Sequence, residues 1–274
     1  MKYKRIKPAF GIGIATGLLA AAASVLASDS TNIDNLSPAQ ILKKAVASYA
    51  SLTSYSDQGQ IVTDVDGSTR MTTFATRLAR PGYYLVVWQR DNAVSVVNEN
   101  PTQQQAVWSS GAGDYWEAGY GPQSGGSPEI ALDAAFALSG GASTTVPMTF
   151  LNLQLRVPID GNPFEEHRRP DEKVGAVNCY VLSHESLGKT TTLWIGQQDF
   201  LIHQIQTAIN ADAIQATVSQ VPNEKPGLAI FLHDYTCTET HANIVTNAPF
   251  AKSDFVPAFS HFASPPDVGD DSGN

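Results

Sequence analysis

The chain has 274 residues, of which 42% are hydrophobic and 16% charged, and its formal net charge is −9. Such a composition excludes wholesale disorder and suffices for one large β domain or two small ones. An acidic balance disfavours nucleic acid and anionic lipid surfaces as partners.

Lys2, Lys4, Arg5 and Lys7 precede an apolar run from Ala9 to Leu26 that ends in Val25-Leu26-Ala27 before Ser28. Basic start, apolar middle and small-residue end predict a cleavable secretory signal over residues 1–27. The alternative is an uncleaved anchor, which Gly and Ala weaken by diluting the run's hydrophobicity. No Cys lies near the cleavage site, which argues against a lipoprotein anchor. Removing the segment leaves 13 basic against 26 acidic residues, a net charge of −13. The expected product is an exported protein in the periplasm or outside the cell, with no stable membrane anchor and no nucleic-acid partner.

Ser37-Pro38-Ala39-Gln40 predicts a helix start, with Ser37 as cap, Pro38 at the first helical position and Gln40 closing a capping box. Ile41, Leu42, Ala45, Val46 and Tyr49 then share one stripe down to about Leu52. From Tyr55 to Glu117 the pattern is strands. Gln60 to Val65 runs into Asp66-Gly67, a hairpin signal, and Thr69 to Leu78 returns. Arg80-Pro81-Gly82 breaks the pattern before Tyr83 to Arg90; a short strand is expected at Ala93 to Val97, and a hairpin from Ala106 to Ser109 and Asp114 to Glu117. Gly119 to Ser127 reads as a loop. Pro128 to Leu138 predicts a helix apolar on nearly every side, hence an enclosed one. Gly140-Gly141 ends it, and Thr144 to Arg169 reads as mostly irregular, its charges bunched at Glu165-Glu166-His167-Arg168-Arg169.

The most sustained pattern is Val174 to Thr207. Val177, Cys179 and Val181 alternate with Asn178, Tyr180 and Leu182; the same period of two holds around Trp194 and around His203. Short breaks at Leu187-Gly188-Lys189 and Gly196 to Asp199 predict an antiparallel meander covered on both faces. Asp212 to Gln220 reads as a short strand, Val221 to Gly227 as a loop, and Leu228 to Val245 as one long or bent strand. Ala248 to Phe262 is extended, and residues 263–274 are a low-complexity acidic tail expected to be disordered.

Cys179 and Cys237 leave two alternatives open, a disulfide or two unpaired thiols acting as small apolar side chains. His233, Cys237 and His241 recur every four residues, but on a strand that interval spans about 13 Å, too far for one tetrahedral zinc. No catalytic residues, metal ligands or cofactor motif emerge: G-x-S-x-G is absent, Asp64-Val65-Asp66-Gly67 is accounted for by the hairpin, and Glu165-Glu166 reads as a solvated charge run.

Phe74, Arg77, Arg80, Pro81 and Gly82 form F-x-x-R-x-x-R-P-G. Trp108 to Gly111 gives W-S-S-G. V-N-C-Y-V-L, T-T-L-W-I, F-L-I-H-Q-I and T-E-T-H-A-N-I-V-T-N-A-P-F follow in order. In this order, from Leu36 to Phe262, the chain resembles the LolA/LolB-like superfamily of outer-membrane lipoprotein carriers, and more closely the exported proteins of unknown function placed beside them. The resemblance implies a mainly β, α+β fold: an unclosed antiparallel β-barrel wrapped around helices over residues 28–262. It also implies a non-enzymatic protein whose concavity takes a lipid or an acylated protein. One departure is the uncharged stretch Tyr83 to Val87, where carriers place a basic residue. Expected lining residues are Phe74, Leu85, Trp88, Trp108, Ile130, Leu132, Phe136, Leu193 and Ile205. A monomer is expected. The alternative is a periplasmic sensor or scaffold with a filled interior.

Overall fold

Asp66 and Gly67 take positive φ values of 51° and 80°, the twisted two-residue turn that Asp-Gly favours. The turn joins β1 (Ser54–Val65) to β2 (Ser68–Ala79), two strands paired along their whole length. The computed structural model describes residues 36–90, 105–111, 113–117, 123–153, 167–186, 188–218 and 233–258. The expected signal segment, the strand at Ala93 to Val97, Glu165 and Glu166, the loop Val221 to Gly227 and the acidic tail lie outside the described residues.

Three further strands follow the period-two prediction, β3 (Tyr83–Arg90), β4 (Gln105–Ser109) and β5 (Asp114–Glu117); beyond them lie two strands that the sequence pattern does not announce, the two-residue β6 (Gln123–Ser124) on the same side and β7 (His167–Val174) at the opposite edge. The central meander is β8 (Val177–Ser186), β9 (Lys189–Gly196) and β10 (Ile202–Ile209). With β11 (Tyr235–Thr246), which pairs with β1 and β10, these strands form one antiparallel sheet in the order β6-β5-β4-β3-β2-β1-β11-β10-β9-β8-β7. The result is one unclosed sheet, a half-barrel in which β11 joins the two meanders at the centre.

Three sequence expectations are corrected here. The segment Thr144 to Arg169, expected to be mostly irregular, holds α4 (Thr145–Leu151) and the first three residues of the edge strand β7. β7 escapes notice because HRRPDEKV has no apolar alternation; as an edge strand it needs none, and its charges and Pro170 guard the open edge against further pairing. Of Asp212 to Gln220, expected as a short strand, residues 212–218 belong instead to α5 (Ala211–Val218). Asn210 starts it by accepting the Ala213 N–H on its side-chain oxygen at 2.8 Å. The helix expected to run from Pro128 to Leu138 is two pieces, α2 (Pro128–Ala134) and α3 (Phe136–Ser139), ending at Gly140 with φ 70°. Nor is α2 enclosed on every side, since the apolar Ile130 is 61% exposed.

α1 (Pro38–Ser51) begins with the expected capping box: the Gln40 N–H donates to Ser37 Oγ at 3.3 Å, and the Ser37 N–H donates to Gln40 Oε1 at 2.8 Å. Its stripe of Ile41, Leu42, Ala45 and Tyr49 is buried against the sheet. With α2 and α4 it shares one core with Tyr84, Val86, Trp88, Tyr180, Leu182, Leu193, Ile195 and Ile205. Arg80 fastens the helices at one end: its guanidinium donates to the Leu52 and Tyr49 carbonyls, each at 3.4 Å, and lies 4.6 Å from the Phe150 ring centroid.

The opposite face carries two smaller clusters. Leu85, Ala106 and Trp108 pack with Phe255 of a 3-10 turn (Lys252–Phe255), and Cys179 packs with Val181 and Trp194.

Candidate functional site

The concave face, occupied by the protein's own helices, is the candidate site. Phe74, Trp88, Leu132, Leu193 and Ile205 all belong to its core. Leu85 and Trp108 do not: they are paired neighbours on β3 and β4 and face the other side with Phe255. Period two identifies each alternation but not which set points inward, hence the misassignment. Ile130 faces outward from α2, and Phe136 is half-buried. Indole Nε1 of Trp88 donates to Gln105 Oε1 at 2.7 Å, which satisfies its one polar atom.

Cys179 and Cys237 are both free. β9 and β10 separate their strands, roughly 14 Å of sheet at about 4.8 Å per strand, beyond disulfide reach. Burial raises both thiols above their ordinary range, Cys179 to about 11, so neither is poised as a nucleophile. Cys237 lies 3.9 Å from the Gly140 carbonyl, under the end of α3. His233, at the other end of the spacing examined above, pairs with Asp66 beside the first hairpin. Among the described residues, no group of three or more His, Cys, Asp or Glu side chains could hold a metal ion.

At the centre of the concave floor lies a constellation that strand patterning did not anticipate. His241 Nδ1 is 2.6 Å from Asp57 Oδ2, and Tyr55 donates its hydroxyl to the same oxygen at 2.8 Å. On the other side of the ring, Nε2 is 3.3 Å from Glu239 Oε1, within ion-pair distance but off a hydrogen-bonding line. The Asp57, His241 and Glu239 side chains are 0%, 1% and 5% exposed. Burial alone would drive the imidazole towards neutrality, yet its hydrogen bond with Asp57 and the charges of Asp57 and Glu239 outweigh that and hold the His241 pKa at about 10. The hydroxyl of Tyr55 is pushed well up by burial and by Asp57, and stays protonated.

Register brings these groups together. Asp57, Gly59 and Ile61 on β1 face the concavity; Gly59 pairs with His241 and Ile61 with Glu239. A side chain at Gly59 would put Cβ 2.3 Å from Phe74 Cζ, so glycine there lets the Phe74 ring cross the strand. Phe74 meets His241 edge-on, with ring centroids 5.5 Å apart. A sequence signal existed: Glu239 and His241 alternate inward on a strand, and Asp57 shares that parity on β1, an acidic and basic set at core positions.

A second, polar hollow of about 520 Å³ lies at the β1–β2 turn, lined by Asp64, Asp66, Asn210, Asp234, Tyr235 and Thr236 among others. Its acids serve local structure: Asp64 accepts from the Gly67 N–H and the Thr69 hydroxyl, and Asp234 from the Ala211 N–H.

No known family model matches the sequence, and no curated protein sequence matches it. Solved structures do. The Pseudomonas aeruginosa MucA/MucB complex matches with a TM-score of 0.43 at 10% identity, over 80% of this chain and 60% of that one, so this chain spans under two thirds of its length. LprF from Mycobacterium bovis matches with a TM-score of 0.41 at 12% identity, over 78% of this chain and 97% of that one. A LolA superfamily protein from Nitrosomonas europaea matches with a TM-score of 0.34 at 12% identity, over 81% and 99%.

Proposed function

We propose that this chain is a non-enzymatic, exported binding protein that holds the apolar chain of a lipid or acylated polypeptide on its concave face, by exchanging its own helices for the ligand. The observation that carries this reading is the self-occupied groove. Leu132 of α2 and Val146, Met148 and Phe150 of α4 are buried against the sheet, on short helices: α2 and α3 lie between Gly126 and Gly140, and α4 between Gly141 and Asn152, all four of positive φ.

Magnitudes favour a reversible exchange. Burying those four side chains contributes about 6–12 kcal/mol at about 1.5–3 each. A ligand chain of about 14 methylenes gains about 11 kcal/mol at about 0.8 each. Terms so close in size let a ligand enter and leave.

A second reading is supported by how completely the helices already fill the face: a sensor or scaffold whose interior never opens and whose partner is a protein. Native mass spectrometry of protein purified from its own envelope separates the two. A bound lipid or acyl chain supports the binding protein; a bare chain that also leaves tryptophan fluorescence unchanged on titration with long-chain amphiphiles sinks it. The export itself is tested by N-terminal sequencing of the mature protein, expected to begin at Ser28.

A further inference from the structure

Among the described residues, Asp57 Oδ1 and His241 Nε2 are buried without a hydrogen-bond partner. A buried ionic network that is only partly satisfied is worse than an apolar core of the same volume. This one lies on the side of the sheet that the helices cover. What the helices offer it, among the described residues, is one neutral donor, the Thr145 hydroxyl, which donates to Glu239 Oε1 at 2.5 Å. Beside it, Gly141 presents no side chain: a Cβ there would come 3.7 Å from Glu239 Oε2. The space over Glu239 is thus held by a small hydroxyl and a bare backbone, on the segment whose exchange for ligand is proposed above.

Resting on that reading, we propose that Asp57, His241 and Glu239 form the head-group subsite of the concavity, and that Thr145 occupies in the empty protein the place of a donor on the ligand's head. Two carboxylates around one imidazolium leave a net negative charge in a dry setting. A second anion brought there meets uncompensated repulsion, while a hydroxyl, amide N–H or ammonium replaces the Thr145 bond. The ligand class is an amphiphile with a donor-bearing head that is neutral or cationic. A free fatty acid or a lipid with phosphate at this position is excluded.

The test is titration of the full mature chain, followed by tryptophan fluorescence and calorimetry, with three probes of one chain length at neutral pH: monomyristoylglycerol, tetradecylamine and myristic acid. The expected result is that the glyceride, the amine or both bind at least about tenfold more tightly than the acid, the scale of one charge-assisted hydrogen bond. Glu239→Gln should shrink that ratio towards one. Thr145→Val should tighten the favoured probes and leave the ratio unchanged. Equal binding of all three, or preference for the acid, overturns the subsite while leaving the apolar groove intact. Binding of none overturns both. Should Glu239→Gln fail to fold, the ratio measured on the unaltered chain decides.

Discussion

Thr145 of α4 donates its hydroxyl to Glu239 of β11 at 2.5 Å, across 94 residues of sequence and between two layers of the fold. The bond ties the helical layer to the charged floor of the sheet. Thr145→Val keeps the shape and removes the donor, leaving a buried carboxylate oxygen without its hydrogen bond. Stability should fall by about 1–3 kcal/mol in urea unfolding. Amide exchange across residues 145–151 should accelerate more than in α1, because α1 keeps its own anchor: Tyr49 accepts from the Ile202 N–H at 3.1 Å.

Removing one member of the Asp57, His241 and Glu239 cluster should cost more than removing all three. His241→Phe strands two buried carboxylates, and the expected loss is about 3–5 kcal/mol. A triple change of Asp57→Asn, Glu239→Gln and His241→Phe leaves no buried charge there, and should recover part of that loss. Chemical denaturation of the two variants checks the order; a triple variant less stable than the single one contradicts it.

Stability should decline on the alkaline side. His241 titrates at about 10 in the folded chain against an ordinary 6.5. Its stabilising charge is therefore fully present below pH 6.5 and is lost as pH rises through 10. The loss is on the order of a few kcal/mol. Tyr49 and Tyr55, both driven upward by burial, do not titrate in this window. The Tm of the unaltered chain should fall across that range, and the fall should be much shallower in His241→Phe.

Reducing agent should leave the Tm unchanged, since Cys179 and Cys237 are unpaired. A native disulfide would have contributed about 2–5 kcal/mol and made the difference plain. Under native conditions Cys237, half-buried, should react with a thiol reagent before Cys179, which is fully buried; mass spectrometry of the labelled peptides reports the order.

The strands were legible wherever one face is apolar and the other is not, as in Ile61, Phe74 and Leu78, because period two is written directly in such residues. Helix starts were legible where capping chemistry is local, as at Ser37. What escaped depends on neighbours distant in sequence. Leu85 and Trp108 alternate as inward residues would, and only the short turn at Lys252–Phe255, arriving from the far end of the chain, gives them a second core. The charged cluster escaped for the same reason: Asp57 and His241 meet through strand register, 184 positions apart. α5 was missed because Ile214, Thr217 and Val218 suit a strand, while the signal that decides it is Asn210, one residue before the segment begins.

β11 has a consequence for how the molecule comes into being. It lies between β1 and β10, and it is the piece through which both halves meet. Until residues 235–246 are available, β1 and β10 each have a bare flank and the floor lacks Glu239 and His241. Assembly must wait for that late, long-range closure, which makes it slow. The two halves of the sheet thus stay separate until most of the polypeptide has been made.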